Sequence, residues 1–165
     1  PVFYKLAAIL VNQLSTHYTR LADNEFGGRL PVRMNFILEE LGNIGASIPN
    51  LPNMMSASRS RNIRLNLVLQ SLTQLNSIYG ESNSKTIIEN CNIKILFRVS
   101  NINTLQEFVR LCGQKQVKHQ TWFRTEPLIT ESQLAAMEVG QVLVMISGRI
   151  KASLMFSRRR SDTTK

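Results

Sequence analysis

One run limits what this chain can fold into: Val32-Arg33-Met34-Asn35-Phe36-Ile37-Leu38-Glu39-Glu40, followed by Leu41-Gly42-Asn43-Ile44-Gly45. Its apolar content is β-branched and aromatic, which predicts a strand buried in a parallel sheet. Pro31 stands at the strand's entry, where a missing N–H costs least. Two carboxylates then arrive together at the strand's outlet. Open α/β sheets bind ligands outside the carboxyl ends of their strands, so a site is expected there. The alternative is an exposed acidic turn after an ordinary strand.

The rest of the chain supplies the layers such a strand needs. Val2 to Leu21 is expected to be a helix, with Phe3, Leu6, Leu10, Leu14, Tyr18 and Leu21 on one face at three- and four-residue spacings. Residues 23–29 are a loop by composition. Asn50 or Asn53 caps a helix through Met54, Met55 and Ala57 to about Arg61, its methionines read as core. A second strand, Ile63 to Leu69, leads out through Gln70-Ser71. The helix bearing Leu72, Leu75 and Ile78 stops at Gly80, and Ser82 or Asn83 starts the next. Ile93 to Phe97 is a third strand. Thr104 to Leu111 is helical, with Leu105, Phe108, Val109 and Cys112 inward and Gly113 closing it.

Gln114 to Pro127 reads as a mobile polar hairpin or loop, pinned to the body by Trp122 and Phe123. Thr130-Glu131-Ser132-Gln133 matches a capping box and opens a short helix ending near Met137. Two strands, Gln141 to Ile146 and Arg149 to Phe156, are joined through Ser147-Gly148, a hairpin signal. The expected fold is α/β: a mostly parallel, three-layer sheet with a C-terminal antiparallel edge hairpin. Residues 1–157 form the domain, and 158–165, with Arg158-Arg159-Arg160, a basic disordered tail.

The 165 residues are 43% hydrophobic and 19% charged, which suits one globular domain rather than a disordered chain. No apolar run is long enough to span a bilayer, and no secretory cleavage pattern follows the apolar start. The chain begins at Pro1, so it is expected to be a segment of something longer. Cys91, Cys112, His17 and His119 have no metal-ligand spacing and are expected to be structural, the thiols buried and reduced. A formal charge of +9 points toward nucleic acid or an anionic membrane surface without choosing between them.

Glu39 and Glu40 end one strand and Gln70 ends the next. In neighbouring parallel strands the three groups share one rim. Two carboxylates and an amide suit metal–phosphate chemistry: one acid holds Mg²⁺ through water, one orients an attacking water, and the amide senses a terminal phosphate. A glycosidase pair fits less well, because successive strand residues point to opposite faces.

These residues resemble a known family. The run Pro31 to Gly45 is similar to the Walker B region of the coupling-protein ATPases of bacterial conjugation and type IV secretion. The likeness continues in order through Ser58-Arg59-Ser60-Arg61, Leu69 to Leu75, Ile78-Tyr79-Gly80, Ile88 to Lys94, Leu111-Cys112-Gly113 and Leu128-Ile129-Thr130. The resemblance implies the C-terminal portion of a RecA-like P-loop NTPase domain, hexameric in the full-length protein. Its cofactors would be ATP and Mg²⁺, and its place the cytoplasmic side of the bacterial inner membrane.

Its cargo would be single-stranded DNA or a relaxase–DNA complex, or effector protein, delivered to a type IV secretion channel. By the same resemblance Glu39 is the Mg²⁺-associated acid, Glu40 the water-activating acid and Gln70 the phosphate-sensing amide. Arg59 and Arg61 are candidates to reach a neighbouring subunit's phosphate. Two departures stand out. Glu39 occupies a position that is usually aspartate. No Gly-x-x-x-x-Gly-Lys-Ser/Thr loop occurs, so the chain alone is expected to turn over ATP poorly. A nucleic-acid-binding or scaffolding module without NTPase activity is the alternative.

Overall fold

Two parallel strands carry the first part of the chain. In the computed structural model, which describes residues 2–42, 48–119, 122–146 and 149–156, β1 (Met34–Leu38) pairs with β2 (Ile63–Leu67) in register from Met34↔Ile63 to Leu38↔Leu67. Alternation decides their faces. Phe36, Leu38 and Ile63 are buried, with Leu65 and Leu67 partly so, while Asn35, Ile37, Arg64 and Asn66 are exposed. The inward set joins a core with Ala8, Ala22, Leu30, Leu41, Ile48, Leu51, Met54, Leu75 and Ile87.

Three helices surround that core: α1 (Val2–Glu25), α2 (Leu51–Ser58) and α3 (Leu72–Asn90). The apolar stripe expected to face inward on α1 does not. Phe3 (80%), Leu6 (56%), Leu10 (55%) and Leu14 (38%) are exposed, and the helix packs through Ala8, Ser15 and Ala22, with Tyr18 and Leu21 only partly covered. The buried side chains are small and fall at seven-residue spacing, while the larger stripe is left exposed.

In α2 the expected cap differs in detail. Asn50 is the N-cap in a left-handed conformation (φ 63°), but its side chain accepts from the Asn53 amide rather than from the backbone. The break expected at Gly80 is present. Its φ of 75° and ψ of 163° interrupt α3, a conformation that suits glycine far better than residues with a Cβ.

The chain divides into two compact units, Pro1–Cys91 and Asn92–Lys165. In the second, β3 (Ile93–Leu96), β6 (Gln141–Ile146) and β7 (Arg149–Phe156) form an antiparallel sheet in the order β3-β6-β7. Beside it are α4 (Ile102–Cys112), capped by the Asn101 side chain on Thr104 N–H, and α5 (Glu131–Ala135), which has the expected capping box at Thr130 and Gln133. Leu105, Phe108 and Cys112 of α4 are buried as expected, together with Leu134, Leu143 and Met145, and the Cys112 thiol donates to Met145 Sδ (3.8 Å). Strands β4 (Gln114–His119) and β5 (Trp122–Pro127) make a separate antiparallel ribbon.

The fold is therefore α/β, but the expected mostly parallel three-layer sheet is corrected: among the described residues only β1–β2 is parallel, and the strands fall into three sheets. β3 continues no parallel ladder because β6 takes it antiparallel, from Ile93↔Ile146 to Leu96↔Leu143. The strand lengths are also shorter than expected: Val32 and Phe97 lie outside strands and are exposed. The expected pin at Phe123 is overturned too, since it is 65% exposed. The Ser147-Gly148 turn, Asn43 to Ser47 and the basic tail lie outside the described residues.

Candidate functional site

The rim at the carboxyl ends of β1 and β2 is built by a departure from regular pairing. Val68 N–H donates to Leu38 O (3.0 Å), and Leu41 N–H donates back to Val68 O (3.2 Å). A regular parallel ladder would take the return bond from Glu40, so one extra residue sits between them, as in a β-bulge. Glu40 is that residue and has a φ of 51°, unusual for a side chain with a Cβ.

The consequence is geometric. Leu38 and Leu41 both turn inward, at 7% and 1% exposure, and Glu39 and Glu40 are both exposed. The expectation that adjacent acids point to opposite faces fails here, because the bulge cancels one step of the alternation.

Gln70 follows β2 at the same rim and is exposed. It precedes Ser71, the N-cap of α3, whose Oγ accepts from Gln74 N–H (3.4 Å). The Gln74 amide donates to Gln70 Oε1 (3.3 Å). Gly42, two residues after Glu40, lies so close to Gln74 that an added Cβ would come within 2.6 Å of its Cδ. Gln74 thus bonds the outlet of β2 and lies against the turn after the two acids. Sequence reading gave Gln74 no role, although its four-residue spacing from Gln70 at a helix start was a usable signal.

A further anchor was missed as well. Ile48, fully buried, donates its N–H to the Tyr79 hydroxyl (2.9 Å). Burial pushes the Tyr79 phenol above its ordinary pKa, and the Ile48 hydrogen bond opposes that shift. Nothing local in the sequence pairs Tyr79 with Ile48.

Arg59 and Arg61 lie elsewhere. Both precede β2, at the opposite end of the strand from Gln70, with the five-residue strand, about 16 Å long at ~3.3 Å per residue, between them. The Arg61 guanidinium grips Asp23 at the end of α1 (Nε–Oδ1 2.9 Å, Nη2–Oδ2 2.9 Å) and donates to Ala57 O (3.1 Å). It is a clasp between α1 and α2. Arg59 is exposed at the C-cap of α2. The structure therefore brings Glu39, Glu40 and Gln70 to one rim and leaves both arginines off it.

Comparison places the fold in a class. The fold matches solved structures of the plasmid coupling protein TrwB, a conjugative coupling protein. With the complex of the non-hydrolysable ATP analogue ADPNP the TM-score is 0.79 at 18% identity, over 96% of this chain and 38% of that one. The complex with the GTP analogue GDPNP gives 0.73 at 17%, over 90% and 36%, and that with ADP and Mg²⁺ gives 0.65 at 17%, over 79% and 33%. The chain thus spans little more than a third of the coupling-protein structures it matches. No curated protein matches the sequence.

Residues 33–139 match the family described as the TraM recognition site of TraD and TraG. The chain belongs to this family of conjugation coupling proteins.

Proposed function

We propose that this chain is part of a coupling protein's RecA-like ATPase domain and carries the hydrolytic rim of the nucleotide site. The observation that supports this most is the bulge at Glu40, which turns two consecutive acids outward beside Gln70. The solved relatives hold nucleotides, and one holds Mg²⁺ as well.

The donor set fits Mg²⁺, which takes one or two carboxylates and completes its shell with water and substrate phosphates. Glu39 would hold the ion, with Glu40 beside it; the bound ion supplies charge neutralisation at the phosphates. Glu40 orients an attacking water and accepts its proton, and its position in the strained bulge fixes where its carboxylate starts. Gln70, steadied by Gln74, offers its amide to the terminal phosphate. Arg59, exposed at the far end of β2, would serve a neighbouring subunit's site rather than its own; Arg61, engaged with Asp23, is the weaker candidate.

The full-length protein would be a hexamer on the cytoplasmic side of the inner membrane. It would drive single-stranded DNA or a relaxase–DNA complex toward a type IV secretion channel, with a TraM-like protein as docking partner. In the full-length protein, Glu40→Gln should lower kcat for ATP about 10²- to 10⁴-fold, the range of a lost general base, with nucleotide binding kept. A steady-state ATPase assay reads this. Hydrolysis at the wild-type rate in the Glu40→Gln protein would remove Glu40 from the chemistry.

A further inference from the structure

The β4–β5 ribbon has two unlike faces. Its register, from Gln114↔Pro127 to His119↔Trp122, places Gln114, Gln116, Lys118, Phe123, Thr125 and Pro127 on one side. Every one of these six is exposed. The other side carries Lys115, Val117, Arg124 and Glu126, where Val117 and Glu126 are partly covered and Arg124 pairs with Glu126 (3.8 Å). The first face is thus the outward one, and it holds no acid. Lys118 stands directly opposite Phe123, and Gln116 opposite Thr125.

We infer that this outward face binds single-stranded nucleic acid, an inference that rests on reading the chain as part of a DNA-handling coupling protein. Single strands are held by a cation on the phosphate backbone next to an aromatic ring on which a base stacks. Lys118 and Phe123 supply that pair across the ribbon, and Phe123 remains 65% exposed. Gln116 and Thr125 add hydrogen-bonding groups that tolerate any base. On its other side Lys115 and Arg124 outnumber Glu126 and leave a net positive charge, and the chain's net charge of +9 has the same sign. A duplex hides the faces of its bases, so stacking on Phe123 selects unpaired strands.

The test is fluorescence anisotropy of the 165-residue chain with a dye-labelled oligo-thymidylate of roughly 20 nucleotides, long enough for a single-strand site, and with a duplex of equal length. The single strand should bind more tightly than the duplex. Phe123→Ala should weaken it about 5- to 100-fold, as expected for one lost stacking contact, and Phe123→Trp should restore it. Lys118→Ala should reduce the slope of log affinity against log salt by about 0.7, whereas Lys85→Ala, on α3, should change affinity less.

If the wild-type chain binds and Phe123→Ala and Lys118→Ala bind equally well, the ribbon is not the contact, and the coupling-protein reading stands. If the wild-type chain fails to bind even at low salt, the ribbon proposal falls, while the nucleotide-site reading is decided separately by the Glu40→Gln ATPase assay. Equal affinity for duplex and single strand, unaffected by Phe123→Ala, overturns stacking.

Discussion

At the scale of single residues, the candidate site depends on side chains whose roles are set by one or two contacts each. Glu40 tolerates a left-handed backbone so that Leu41 can return to the core. Tyr79 satisfies the buried Ile48 N–H at the far end of the segment that follows the acids. Tyr79→Phe leaves that N–H without its partner and should cost about 1–3 kcal/mol, measured by urea unfolding.

The same tyrosine sets a pH dependence. Its folded pKa is raised by burial, so its contribution to stability is complete below the unfolded value of ~10 and declines as pH rises through the folded value. Melts of the wild type should lose stability as pH rises above about 10, and Tyr79→Phe should lose less over the same range. An equal loss in both would assign the alkaline effect to other groups.

At the scale of elements, α3 shows a break that is written locally, and α1 shows a face that is not. Gly80 meets nothing within 4 Å where a Cβ would be, so Gly80→Ala is penalised by backbone conformation rather than by a clash. The expected loss is about 1–3 kcal/mol in thermal or denaturant unfolding, and a neutral substitution would show that the break costs nothing to straighten. On α1, periodicity pointed to Phe3, Leu6, Leu10 and Leu14, yet Ala8, Ser15 and Ala22 make the contact. Hydrophobic spacing identifies an amphipathic helix but does not show whether its small or its large residues end up buried. The Arg61–Asp23 clasp belongs to this scale too: it fastens α2 to α1, and no pattern in either segment announces it.

At the scale of the whole molecule, the two proposed functions are carried by different compact units. Glu39, Glu40 and Gln70 belong to residues 1–91, and the β4–β5 ribbon to residues 92–165. Substitutions in one should therefore spare the chemistry of the other. In the full-length protein, Glu40→Gln should lower turnover about 10²- to 10⁴-fold while keeping its affinity for an oligo-thymidylate, and Phe123→Ala should weaken that affinity with basal hydrolysis intact. Loss of both properties in either variant would refute this division.

The sequence alone determined the local features of this protein. These are the acids at a strand outlet, the amide at the next outlet, the stop at Gly80, the capping box at Thr130 and the family resemblance borne by ordered runs. Each rests on residues within a few positions of one another, where backbone preference and hydrogen-bonding reach suffice. Tertiary structure alone decided which face of α1 is buried, that β6 and not β2 pairs with β3, that a bulge turns Glu39 and Glu40 outward together, and that Tyr79 takes the Ile48 N–H. Those outcomes depend on partners far along the chain, and the competition among possible partners is settled only when the core is packed.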